Sequence, residues 1–68
     1  MNRIDIQELA CKHLKLDWNQ FADLDRESKQ YLYGYGMGLQ GLSFDVQYTY
    51  TAKHIQGYQD GKAVREGT

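Results

Sequence analysis

Two stretches of this 68-residue chain repeat one pattern of glycine and tyrosine: Gly34-Tyr35-x-x-Gly38-x-x-Gly41 and Gly57-Tyr58-x-x-Gly61. On a helix, residues four and seven apart share a face, so each stretch predicts a flat stripe of glycine edged by aromatic rings. Every glycine inside a helix costs roughly 0.5–1 kcal/mol relative to alanine. Such stripes are tolerable where two backbones approach more closely than a Cβ would permit. The pattern therefore predicts helix packing, within one chain or between two.

Size sharpens that expectation. A chain of about 60 residues buries only about 60% of the surface its unfolded form exposes, which leaves it marginal without disulfides, metal or oligomerisation. One cysteine, Cys11, excludes an intramolecular disulfide and fits a reduced, cytoplasmic setting. Oligomerisation is the remaining aid, so a homodimer is expected. Six tyrosines bring large contact area with a polar tip, a composition suited to an interface or a shallow core. No apolar run approaches the roughly 20 residues that span a bilayer, and Met1-Asn2-Arg3-Ile4-Asp5 has no secretory apolar segment, so a soluble, unexported protein without a membrane partner is expected. A net charge of −1 and a pI near 6.0 argue against a protein devoted to gripping phosphate backbones.

Along the chain, Ile6, Leu9, Ala10, His13 and Leu14 recur at helical spacing and predict a helix over Asp5 to Lys15, acidic early and basic late as the helix dipole favours. Asp17 followed by Gln20 predicts a capping box opening one short turn, with Trp18 and Phe21 plugging the core. Asp23 or Asp25 caps the next helix, which carries Leu24, Ser28, Tyr31, Leu32, Tyr35, Gly38, Leu39 and Leu42 at helical period and stops at Gly41. From Leu42 to Tyr50, apolar and polar residues alternate as in a strand. The preferred reading is a third helix capped by Ser43, carrying Gln47, Tyr48, Thr51, His54, Ile55, Tyr58 and Gly61 along one side. The chain contains no proline, hence no rigid linker, and reads as one domain, residues 1–68.

The residues able to do chemistry are few. Cys11 and His13 lie about 200° apart on a helix and cannot readily share a metal ion, and a structural zinc site wants four ligands. Cys11 with His54 has no third group to orient it as a nucleophile and base. The run Gly34–Gly41 differs from phosphate-binding loops in following a helical pattern and in lacking the lysine that ends a P-loop. Neither a catalytic residue nor a metal or cofactor site is therefore expected. The acids Asp17, Asp23, Asp25 and Glu27 cluster where helix caps explain them, with a docking patch for a basic partner as the other reading.

The succession Gly34-Tyr35-x-x-Gly38-x-x-Gly41-x-Ser43, then Gly57-Tyr58-x-x-Gly61, resembles the organisation of the ribosome modulation factor family over roughly Tyr31 to Lys62. These are small helical proteins that bind ribosomes and promote their hibernation. The resemblance implies a shared helix-pair architecture. The cysteine-poor, tyrosine-rich build is also similar in style to small early-region proteins of temperate bacteriophages, which bind host or phage proteins.

These readings give an all-α domain of three helices, two main ones after an N-terminal helix, forming a homodimeric bundle. Its expected role is that of a non-enzymatic regulatory protein acting on an unidentified host or phage protein. Its expected partner or dimer surface is Tyr31, Tyr35, Gly38, Leu39, Gly57, Tyr58 and Gly61. The alternative is a ribosome- or RNA-binding modulator of translation, with tyrosines stacking on bases and Lys53, Lys62 and Arg65 meeting phosphates.

Overall fold

The computed structural model describes residues 3–43 and 51–67, and every regular element among them is helical. The order is α1 (Arg3–His13), α2 (Trp18–Ala22), α3 (Arg26–Gln40) and α4 (Ala52–Arg65). The short α2 is a single turn, so the chain is an all-α domain with three principal helices, as expected.

Local chemistry sets most boundaries. α1 ends because Lys15 enters the left-handed region at φ 60°, where the Lys15 and Leu16 amides donate to the carbonyls of Lys12 and Cys11. This pair of bonds is a Schellman stop that satisfies two of the last helical carbonyls. Asp17 and Gln20 form the expected reciprocal capping box at the start of α2. Asp25 rather than Asp23 caps α3, and hydrogen bonds from the Ser28 hydroxyl and amide hold its carboxyl below the usual carboxylate range. Gly41 closes α3 at φ 73°, with the Gly41 and Leu42 amides on the carbonyls of Gly38 and Met37.

The last helix corrects one expectation. It begins at Ala52, and its cap is Thr51, whose hydroxyl accepts from the His54 amide. Ser43 lies outside any helix. The choice between helix and strand for the alternating segment falls on residues 44–50, outside the described residues.

α3 and α4 form the main contact of the fold, and they run parallel. At one end the Thr51 hydroxyl bonds to Gln30, and at the other the Arg65 side chain lies against Gly41. α3 rises about 22 Å at 1.5 Å per residue, so Gly41 and Thr51 lie at opposite ends of the seam.

α1 crosses α3 on another side. A Cβ on Gly36 would come within 3.0 Å of the Ile6 carbonyl, so the α1 backbone rests in the notch that glycine leaves. The Gln7 side-chain amide donates to the Lys29 carbonyl at 3.1 Å, tying α1 to the first turns of α3. The inward face of α1 is thus Ile6, Gln7, Ala10 and Cys11, while Leu14, expected on that face, is exposed. Ala10, Cys11, Phe21, Leu32 and Tyr35 form the core, with Leu16, Leu24, Tyr31 and Leu39 packed around them.

Candidate functional site

The two glycine stripes meet each other. A Cβ on Gly34 would fall within 3.0 Å of the His54 carbonyl and the Tyr58 amide nitrogen, and one on Gly38 equally close to the Tyr58 carbonyl and the Lys62 nitrogen. From the other side, a Cβ on Gly57 would strike the Tyr31 carbonyl, and one on Gly61 the Tyr35 carbonyl. Backbone meets backbone throughout this seam, the approach that Cα–H···O contacts accompany. Gly38, Gly57 and Gly61 are therefore occupied within the chain and offer no glycine face to a second molecule.

The tyrosines split in the same way. Tyr35 is 5% exposed and belongs to the core, tilted against the rings of Tyr31 and His13. Tyr31 is half-buried, and its hydroxyl donates to the Asp60 carboxylate across the α3–α4 seam at 2.5 Å. Burial first, and then that bond, push its pKa up to about 12. Leu39 packs against the core, and Tyr58 is half-buried. The surface assembled from sequence is thus mainly the inner seam of one molecule.

Lys53, Lys62 and Arg65 are exposed on α4. Nine residues separate Lys53 from Lys62, two and a half turns at 3.6 residues per turn, which puts them on opposite sides of the helix. Lys62 and Arg65, three residues apart, share a face that excludes Lys53, and the structure withdraws Tyr35 from any stacking surface.

Beneath Tyr33 sits a buried polar group, His54, which the sequence offered only as an unoriented partner for Cys11. His54 Nε2 lies 3.3 Å from the Met37 sulfur, with Tyr33 edge-on to the imidazole at 4.8 Å between ring centroids. Cys11 has different surroundings; burial, then the nearby Glu8 carboxylate, push its thiol pKa up, the opposite of an activated thiolate. Among the described residues no group of three His, Cys, Asp or Glu side chains converges on a possible metal site. No described helix is long and apolar enough to cross a membrane.

Among the described residues an open surface lies between α1 and α2. Ile4, Glu8, Cys11, Lys12, Leu16 and Trp18 line a cleft of about 290 Å³. Ile4 is 59% exposed and Trp18 50% exposed, the two most exposed large apolar side chains among the described residues. Phe21 plugs the core as expected, whereas Trp18 does not. Its ring stacks on Phe21 at 4.7 Å from outside. The Schellman turn after α1 bends Leu16 back toward Cys11 and closes one end of the cleft.

Sequence reasoning missed this cleft, though one signal was present. Ile4 and Ile6 lie about 200° apart on a helix, so burying Ile6 forces Ile4 outward. No family model, curated protein or solved structure matches this chain.

Proposed function

We propose that this is a non-enzymatic regulatory protein, of the cytoplasmic bacterial or bacteriophage kind, that acts by protein–protein binding through the α1–α2 cleft. One observation carries the reading: an exposed tryptophan and an exposed isoleucine share a formed depression rimmed by Glu8 and Lys12. Aromatic anchors in a concave apolar patch with a charged rim are the usual ingredients of a protein interface. The side chains that would serve chemistry are engaged in packing instead, His54 on Met37, Cys11 in the core and Tyr31 on Asp60. The separation of Lys53 from Lys62 and the burial of Tyr35 favour this reading over ribosome or RNA binding.

The test is affinity capture from bacterial lysate with the immobilised protein, comparing the unaltered chain with the double variant Ile4→Ser, Trp18→Ser. Discrete proteins held by the first and released by the second are expected, a further copy of this chain counting as one of them. Retention unaffected by the double variant would overturn the assignment of the cleft. Co-sedimentation with ribosomes that survives the double variant, and is lost on replacing Lys53, Lys62 and Arg65 by glutamine, would establish the translation-modulator reading instead.

A further inference from the structure

The cleft carries a charge order that names its occupant. Ile4, Glu8 and Lys12 follow one another at intervals of four residues along the exposed side of α1; Leu16, four further in sequence, is half-buried beyond the turn at Lys15, and all four line the cleft. Read in either direction the order is apolar, charged, charged, apolar, with the two charges of opposite sign. Such a row is complementary to its own reverse. We propose that the cleft is the contact surface for a second copy of this chain, with the two α1 helices packed antiparallel about a twofold axis passing between Glu8 and Lys12.

The geometry follows from the symmetry. A twofold contact is isologous: if one residue meets another across it, the second also meets the first. An axis midway between Glu8 and Lys12 places each Glu8 opposite the second copy's Lys12, twice. The same operation brings each Ile4 to the far end of the second copy's α1, where Leu16 and Trp18 line its cleft. A parallel arrangement would instead oppose Glu8 to Glu8 and Lys12 to Lys12, and like charges face to face are disfavoured. The apolar ends supply burial and the charges in the middle fix the direction. This homodimer differs from one built on the glycine stripes, since those are filled within each chain. It rests on the protein-binding reading of the cleft and specifies the partner.

Sedimentation equilibrium with charge-reversed variants tests it. The unaltered protein is expected to associate to a dimer, with Trp18 emission moving to the blue as concentration rises. Glu8→Lys alone, or Lys12→Glu alone, creates two like-charge contacts per dimer and should weaken self-association roughly tenfold, less at high salt. An equimolar mixture of the two single variants should recover association as a heterodimer, because each then meets the opposite charge. The double variant Glu8→Lys, Lys12→Glu should also recover it. Recovery in the mixture cannot come from repaired contacts within one helix or from restored folding.

A protein that stays monomeric at millimolar concentration overturns the proposal. So do single variants that associate as tightly as the unaltered chain, or a mixture that fails to recover. In any of these cases, lysate capture that still depends on Ile4 and Trp18 would leave the protein-binding function standing with a different partner. Loss of both would remove the function as well.

Discussion

Replacing Gly57 by alanine separates local preference from tertiary packing with opposite signs. In a solvent-facing helix this substitution stabilises by roughly 0.5–1 kcal/mol, because alanine loses less backbone entropy. Here the new methyl would sit within 3.0 Å of the Tyr31 carbonyl, while ordinary contact begins at 3.4 Å. The obstacle is helix backbone and cannot rotate aside. α4 must therefore withdraw from α3 by on the order of 1 Å, and gaps of that size forfeit a quarter to a half of the dispersion energy of the contacts involved. Overpacking costs of about 1–3 kcal/mol exceed the propensity gain, so a net loss of roughly 1–2 kcal/mol is expected. In a domain this small, each kcal/mol lowers Tm by about 4–8 °C.

Urea and thermal unfolding followed by circular dichroism measure the change. Exposed Ala63→Gly in the same helix supplies the reference, with a loss of about 1 kcal/mol from propensity. Gly57→Leu should be worse than Gly57→Ala. A midpoint that rises in Gly57→Ala would show that α3 and α4 do not meet at this glycine, and the seam would have to be abandoned.

Two further outcomes follow from individual contacts. Thr51→Ala removes both the cap of α4 and its tether to Gln30, so unfolding free energy should fall by about 1 kcal/mol while Thr51→Ser retains most of it, as read by urea titration. The Tyr31 phenol keeps its proton more tightly when folded, with a pKa raised from 10.0 to about 12, so its contribution to stability is complete below pH 10 and disappears as pH climbs through about 12. Tyr31→Phe should flatten that alkaline decline, and ultraviolet titration of the phenolate band should lose its latest-titrating tyrosine.

What the sequence revealed, and what it concealed, divides along physical lines. The capping box at Asp17, the cap of α3 and the glycine stop at Gly41 depend on short-range hydrogen bonding; the first and last were legible from residue type and spacing, and the cap was narrowed to Asp23 or Asp25. The glycine stripes announced close helix packing for the same reason. Their partner was not legible, since a stripe of small residues accepts a neighbouring helix from its own chain or from another. Nor was direction, because such a stripe looks alike from both ends.

Parallel packing in turn displaced the start of α4. A helix capped at Ser43 would follow α3 after a tight turn, whereas a parallel partner must begin beside the first turns of α3, where Thr51 meets Gln30. Tyr35 illustrates the remaining gap. Its amphipathic ring suited an interface as well as a core, and only the placement of α1 across α3 decided for the core. Trp18 went the other way, exposed at the cleft and stacked on the outside of Phe21.

The central claim is that the two glycine stripes join within one chain, in parallel, and leave the α1–α2 cleft free for binding. Isotope-filtered nuclear Overhauser spectroscopy on a mixture of differently labelled chains tests it most directly. Contacts from Gly38 to Gly61, and from Gly57 to Tyr31, should be strong and confined to pairs within a single labelled chain. Their appearance between differently labelled chains, or their replacement by contacts from Gly34 to Gly61, would contradict the account, the first by putting the seam between molecules and the second by reversing α4.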